Sequence, residues 1–149
     1  MEETEQISCL DIKGLPPGMK HLKRLVEKAA TETLREHDVG PHALSITFVG
    51  DGEMTRINRA SLGRRGTTDV IAFDLSEAGL AYCKVGDIYI SLDRAREQAA
   101  RFKVGRREEI IRLVVHGVLH VIGYRDDTPS RKRRMEARQE RTVKKLLNK

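Results

Sequence analysis

The segment 106–122 is the most hydrophobic helical pattern in the chain, and it constrains the fold more than any other stretch. It carries His116 and His120, and side chains four positions apart lie on one face of a helix, about one turn apart. Gly123 follows, a residue type that readily adopts a positive φ and so ends a helix with a sharp turn. Asp126 then comes within reach of both imidazoles. The pattern predicts a helix, its end and three metal donors in one place.

This donor set favours catalytic metal chemistry. Two imidazoles and one carboxylate leave the fourth position of a tetrahedral zinc ion open, which is typical of catalytic and not of structural zinc. A bound ion lowers the pKa of its water towards neutrality, so the expected nucleophile is a metal-bound water and no catalytic side chain is assigned. Fe(II) suits the same donors, so the spacing leaves the metal open. The alternative is a purely structural pair of hydrogen-bonded core histidines. That role would not explain why a glycine and a carboxylate follow them.

The residue after the first histidine limits the class of substrate. The metalloprotease pattern H-E-x-x-H has its general base there, whereas this chain has Gly117. A peptidase is therefore disfavoured. A phosphodiester, whose attack depends more on a metal and on cationic stabilisation than on a fixed carboxylate, is favoured.

Patterns typical of strands alternate with patterns typical of helices along the rest of the chain. Alternating, β-rich stretches predict strands at 7–12, 43–49, 68–73 and 87–92, with a loop or hairpin over 79–85. Apolar spacing of three to four residues predicts helices over 19–37, from a cap at Asp51 through Asn58, from a cap at Ser91 or Asp93 to about Lys103, and over 129–147. At 149 residues, one domain of the α+β or α/β layered class is expected.

The net charge of +6 is concentrated at the C-terminal end. The last 25 residues hold ten basic and four acidic side chains, whereas the preceding 124 hold 18 of each. A basic segment on a neutral body is typical of a polyanion binder, although a solvated helix face is an equal alternative. A basic loop lies earlier, where Arg56, Arg59, Arg64 and Arg65 fall within ten residues that contain no acid.

Cysteine usage and hydropathy indicate the compartment. Cys9 and Cys83 are far apart and form no C-x-x-C pair, which predicts two reduced thiols. The first eight residues are acidic and polar, unlike a secretory signal, and no run approaches 18 uncharged apolar residues. A soluble, cytoplasmic protein with no membrane partner is expected.

Together these motifs resemble the bacterial YbeY family, single-domain metal-dependent endoribonucleases that mature small-subunit ribosomal RNA and act in ribosome quality control. The resembling pieces are 46–51 with Glu53, Ile57 and Asn58, 68–73, 86–91, the segment from His116 to Asp126, and Met135 and Glu140. The resemblance implies an α+β fold over residues 1–149, with a central mixed sheet of about four strands, a zincin-like metal helix and a basic C-terminal helix at about 129–148. It also implies one Zn²⁺ per chain, single-stranded or ribosomal RNA as substrate, and small-subunit ribosomal proteins as possible partners.

The sequence departs from the family pattern at two places. The family's third histidine falls on Asp126, so an ionised ligand reduces the net charge of the metal site and widens metal choice towards Mn or Fe(II). The family's Tyr-Arg pair falls on Ser61 and Leu62. We expect Arg59, Arg64 or Arg65 of the basic loop to supply that phosphate contact instead, because guanidinium binds phosphate bidentately, with a merely solvated loop as an equal alternative. The predicted RNA contacts are Arg59, Arg64, Arg65, Arg131, Arg133 and Arg134.

Two functions of different class follow. The first is a single-strand-specific, metal-dependent endoribonuclease acting in ribosomal RNA processing, with His116, His120 and Asp126 as metal ligands. The second is a non-catalytic RNA-binding or ribosome-binding assembly factor whose metal site is structural or vestigial. Cleavage that depends on the metal discriminates between them.

Overall fold

A computed structural model describes residues 8–76 and 83–148. One mixed sheet forms the centre, with its four strands in the order β1-β2-β4-β3. The strands are β1 (Cys9–Lys13), β2 (His42–Val49), β3 (Val70–Asp74) and β4 (Lys84–Ser91). The β1–β2 and β2–β4 pairs are parallel, and the β3–β4 pair is antiparallel. This arrangement confirms the α+β class and the mixed four-stranded sheet.

Five α-helices accompany the sheet in the described residues. They are α1 (Lys23–Glu36), α2 (Asp51–Leu62), α3 (Leu92–Phe102), α4 (Arg106–Val121) and α5 (Pro129–Leu147). In α4 ten of the 16 residues are buried, since it contacts the sheet on one side and α1, α3 and α5 on the others. No helix within 8–76 and 83–148 has the length and apolar composition that a bilayer span requires.

Helix α4 lies close against the sheet because glycine occurs on both surfaces. A Cβ atom added to Gly117 would lie 2.7 Å from Ile88 Cγ2, and one added to Gly86 would lie 2.6 Å from Val121 Cγ1. Both distances are shorter than real Cβ contacts, so only glycine permits this approach. The position after the first histidine therefore faces β4 and has no room for a glutamate side chain.

Several predicted helix boundaries are corrected by the structure. Asp51 is not the cap of α2: Gly50 is the N-cap, and the Asp51 carboxylate instead accepts a hydrogen bond from Ser91 Oγ at 2.9 Å. Ser91, one of the two predicted caps of α3, is its N-cap, because its Oγ accepts from the Arg94 backbone N–H at 3.1 Å. The helix predicted from residue 19 begins instead with a 3₁₀ turn, Pro17–Leu22, which proline at its start favours.

The basic loop is shorter than predicted. Helix α2 continues to Leu62, so Arg56 and Arg59 lie on it and only Arg64 and Arg65 follow it. The helix ends where Gly63 adopts a φ of +64°, which residues with a side chain rarely adopt. Strands β3 and β4 are consecutive and antiparallel, as in a hairpin, and β4 already begins at Lys84. Part of the loop predicted over 79–85 lies outside the described residues.

Candidate metal centre

The end of α4 brings the predicted donors together. Beyond Val121, Gly123 adopts a φ of +111° and its N–H donates to the His120 carbonyl at 3.1 Å. The Tyr124 N–H donates to the Leu119 carbonyl at 2.9 Å, which turns the chain back over the last turn of the helix. Asp126 thereby reaches the face that carries both histidines, as the spacing predicts.

The three donor atoms have the spacing that a single ion requires. Asp126 Oδ2 lies 3.4 Å from His120 Nε2 and 3.9 Å from His116 Nε2. All three ligand atoms lie within 4.8 Å of one another. Two donors bound tetrahedrally at about 2.1 Å lie about 3.4 Å apart, so the donor set fits a zinc-sized ion with a small inward movement. The histidines are partly buried and Asp126 is exposed, which leaves one side open to solvent.

Both imidazoles are oriented through their other ring nitrogen. His120 Nδ1 donates to the Tyr124 carbonyl oxygen at 3.0 Å. His116 Nδ1 donates to Gln139 Oε1 at 2.7 Å. The orientation of the Gln139 amide is fixed because its Nε2 donates to a Glu140 carboxylate oxygen at 3.0 Å. Each ring therefore carries its proton on Nδ1 and presents the Nε2 lone pair to the site, as metal-binding histidines do.

Electrostatics favour the neutral, metal-binding form of His120. Burial lowers the pKa of this imidazole and the neighbouring His116 lowers it further, whereas Asp126 opposes both effects. Because a metal ligand must be deprotonated, this shift reduces competition from protons.

A charged network behind the site fixes Gln139. The Arg112 guanidinium donates to both Glu140 oxygens, at 2.7 and 2.9 Å, and also to Glu108 and Glu109. Burial raises the pKa of Glu140, but the hydrogen bonds from Arg112 and Gln139 outweigh it and bring that pKa below its usual value. The ionised carboxylate then holds the Gln139 amide in place.

Gln139 was not among the predicted site residues, although the sequence contains a signal for it. The buried stripe of the otherwise basic α5 consists of Met135, Gln139, Thr142, Val143 and Leu146. A glutamine that is only 7% exposed on such a stripe requires a polar partner inside the protein. The partner is 23 residues away in sequence, so the pattern indicates a buried polar contact without identifying it.

The donors face a cleft of about 570 Å³, defined here as the metal cleft, between β3 and the turn after α4. Leu62 and Arg64 line its far wall, whereas Arg59 and Arg65 do not line it. Arg131 and Arg134 line an adjoining pocket of about 380 Å³ that shares Gly123, Tyr124 and Arg125 with the metal cleft. Arg133 is exposed and lines neither.

Not every basic residue of α5 is available to a ligand. Lys145 Nζ lies 2.6 Å from Glu32 and 3.2 Å from Glu36, and Arg138 lies 3.7 Å from Glu36. These pairs attach the C-terminal half of α5 to α1. Near its start, Arg131 donates to Asp127 at 3.0 Å and lowers the pKa of that carboxyl. The other exposed basic side chains lie along the whole helix and are Lys132, Arg133, Arg134, Arg141 and Lys144.

Comparison with known proteins places the chain in a family. The model of the family described as Endoribonuclease YbeY matches residues 14–147. Proteins named Endoribonuclease YbeY include one from Chlorobium phaeovibrioides, 36% identical over 80% of this chain and 78% of its own length. Another, from a Roseiflexus species, is 33% identical over 98% of this chain and 96% of its own length.

The chain belongs to the endoribonuclease YbeY family. The solution structure of TM1509 from Thermotoga maritima has a TM-score of 0.66 and 24% identity, and covers 93% of this chain and 89% of its own. At that identity the likeness concerns the fold, which it confirms.

The two positions where the resemblance predicts a departure from the YbeY pattern both lie at the metal cleft. Asp126, on which the resemblance places the family's third histidine, provides a donor atom beside the other two. Leu62, on which the resemblance places the family's arginine, lines the metal cleft, and so does Arg64 two residues later. The lining of the cleft therefore includes a guanidinium close in sequence to that position.

Proposed function

We propose that this protein is a metal-dependent, single-strand-specific endoribonuclease that processes ribosomal RNA during maturation of the small subunit and its quality control. The observation that carries the proposal is the convergence of two oriented imidazoles and a carboxylate in an open cleft beside an arginine. Membership of the endoribonuclease YbeY family supports RNA as the substrate. Such a role implies a cytoplasmic location and small-subunit ribosomal proteins as partners.

His116, His120 and Asp126 would hold one divalent ion per chain. Zinc suits this donor set, and Mn or Fe(II) suits it as well because a carboxylate oxygen replaces a nitrogen. When bound, such an ion supplies a water of lowered pKa and compensates charge on the phosphodiester. Gln139 and the Tyr124 carbonyl keep both Nε2 lone pairs directed at that position.

The arginines around the metal cleft would bind the RNA backbone. Arg64, which lines the metal cleft, would hold the scissile phosphate, since a guanidinium matches two phosphate oxygens. Arg131 and Arg134 would contact a flanking phosphate in the adjoining pocket. Arg59, Arg65 and Arg133 lie outside both cavities and would add contacts that are independent of RNA sequence.

The size of the metal cleft favours single strands. A cavity of about 570 Å³ is comparable to a small-molecule site, which suits an unpaired nucleotide and is too small to enclose a paired helix. Unpaired nucleotides can also turn their bases out of the way of the metal donors.

The first test is metal content, measured by inductively coupled plasma mass spectrometry on protein purified without a metal-binding tag. We expect about one transition metal per wild-type chain. We expect Asp126→Ala to lose most of it, with the exposed His21→Ala as the matched control. Asp126→His should shift the preference towards zinc over Mn, and an unchanged preference would contradict the role given to this carboxylate.

The second test is cleavage of a fluorophore-labelled single-stranded RNA. Chelation and His116→Ala should each reduce the rate by about 100-fold or more, because the metal supplies several kcal/mol of the barrier reduction. A duplex of the same sequence should resist cleavage. Tight RNA binding without cleavage, unaffected by chelation, would instead assign a non-catalytic assembly factor.

A further inference from the structure

We propose that a second cleft, on the other side of His116, binds an unpaired nucleobase next to the scissile phosphate, with the base stacked on Phe102. This inference rests on the proposed function. The inference adds a base-binding subsite, which would fix the direction in which the RNA strand crosses the metal donors. The cleft, defined here as the base cleft, has a volume of about 510 Å³.

The base cleft adjoins the metal cleft. His116 and Asp69 line both cavities and stand between them. A nucleotide whose phosphate lies beside the metal donors would place its own base, or that of its neighbour, past these two side chains and into the base cleft.

Phe102 is an exposed aromatic side chain in the lining of the base cleft. It is 59% exposed, and the other large hydrophobic residues exposed in the described ranges are Leu62 and Leu75. Leu62 lines the metal cleft and Phe102 lines the base cleft, so two of these three side chains flank the proposed site.

The other two phenylalanines pack against protein side chains. Phe48 is buried in the core, and Phe73 packs edge-on against Tyr89. Phe102 lies at the last position of α3, where Lys103 adopts a φ of +57° and ends the helix. The ring shares the lining of the base cleft with Val104 and Leu113, and an unpaired base would stack on its exposed face.

The charges divide the RNA strand between the two cavities. The base cleft is lined by Asp69, Glu109, Glu136 and Glu140, with Arg112 as its cation. That guanidinium donates to Glu109 and Glu140 of this lining and to Glu108 outside it. A phosphate is therefore disfavoured in the base cleft, where the one guanidinium is already engaged. The metal cleft also has four carboxylates, but it adds Arg64, Arg125 and the proposed metal ion as positive charges, and Arg131 and Arg134 line the adjoining pocket.

The same carboxylates select a type of base. Carboxylates accept hydrogen bonds from amino groups on base edges, such as the exocyclic amine of cytosine. Asp69 Oδ2 accepts from Gln98 Nε2 at 3.2 Å and keeps lone pairs free, and Glu136 is exposed at the rim. The base cleft should therefore prefer cytosine, adenine or guanine to uracil, which carries no amino group.

The test is fluorescence anisotropy of single-stranded RNAs, each with one abasic position, bound to the full chain in chelator so that no cleavage occurs. One abasic position should weaken wild-type binding by roughly 5- to 150-fold, the range that one stacked base accounts for. Phe102→Ala should weaken binding of intact RNA by a similar factor and show no further loss at that position. Phe102→Trp should retain affinity, and Leu75→Ala, exposed but outside both cavities, is the matched control.

The outcomes separate this inference from the proposed function. RNA that is bound and cleaved equally by wild type and Phe102→Ala, with no sensitive abasic position, would overturn the base site alone. Loss of ribosome co-sedimentation in Phe102→Ala with unchanged RNA affinity would assign the ring to a protein contact and also overturn it. A wild-type chain that neither binds nor cleaves any RNA would overturn the proposed function, and the base site with it. Glu136→Gln should reduce the preference over uracil at the sensitive position, and an unchanged preference would contradict the role of the carboxylate.

Discussion

Replacing Gln139 by leucine should weaken zinc binding without dismantling the fold. The side chain is 7% exposed, and its Oε1 accepts the His116 Nδ1–H at 2.7 Å. Without that acceptor, the imidazole is free to rotate and to move its proton to Nε2, which removes the lone pair that the ion needs. Loss of such a partner typically costs 10- to 100-fold in metal affinity, or about 1.4–2.7 kcal/mol. Glu140 keeps both hydrogen bonds from Arg112, so the network behind the site survives.

The assay is zinc competition with a chromophoric chelator, combined with NMR of the imidazole nitrogens. Wild-type His116 should carry its proton on Nδ1, whereas Gln139→Leu should show a mixture of the two tautomers. Thr142→Val is the matched control: Thr142 is fully buried on the same face of α5, and its Oγ1 donates to Glu36 at 2.6 Å, away from the donors. An unchanged zinc affinity in Gln139→Leu, or an equal loss in Thr142→Val, would refute the positioning role.

Three further predictions concern packing, pH and RNA. Gly117→Ala should lower the free energy of unfolding, measured by urea titration, by about 1–2 kcal/mol. The new Cβ would lie 2.7 Å from Ile88 Cγ2, and this overpacking should outweigh the better helix propensity of alanine. An unchanged or higher stability would contradict this close contact. Because the pKa of His120 is lowered in the folded protein, the unfolded chain binds a proton on this imidazole more readily than the folded chain does. The free energy of unfolding of the metal-free protein should therefore fall as pH drops below about 6.5, and His120→Asn should flatten that dependence. Equal slopes of unfolding free energy against pH for the two proteins would be contrary evidence. Arg64→Ala should weaken RNA binding and reduce the slope of log affinity against log salt concentration by about 0.7. Arg65→Ala, which alters a residue outside the metal cleft, should change that slope less. Equal slopes in the two variants would show that Arg64 has no special role.

Local sequence determined much of the chain. The helix carrying the histidine pair, its end before Gly123 and the basic helix α5 agree with their predicted ranges to within a residue or so. They were predictable because helix periodicity, capping and glycine at positive φ act over a few neighbouring residues. The approach of Asp126 to the histidines followed from the same short-range geometry.

Contacts between distant segments required the tertiary structure. The strand order and the parallel and antiparallel pairings are not encoded in any one strand. The capping role expected of Asp51 was wrong because its carboxylate bonds instead to Ser91, 40 residues away. Likewise, the sequence presented the basic loop as one cluster. In the structure Arg56 and Arg59 lie on α2, and of the two arginines that follow Gly63 only Arg64 lines the metal cleft.

The candidate site shows the same division. The sequence by itself determined the three donors, because two lie one helical turn apart and the third follows a local turn. Only the tertiary structure decided how they are oriented and what surrounds them, since Gln139 approaches from α5 and Phe102 from the end of α3. Donor identity is a property of neighbouring residues, whereas hydrogen-bond partners and cavity walls arise when separate elements pack around a shared core.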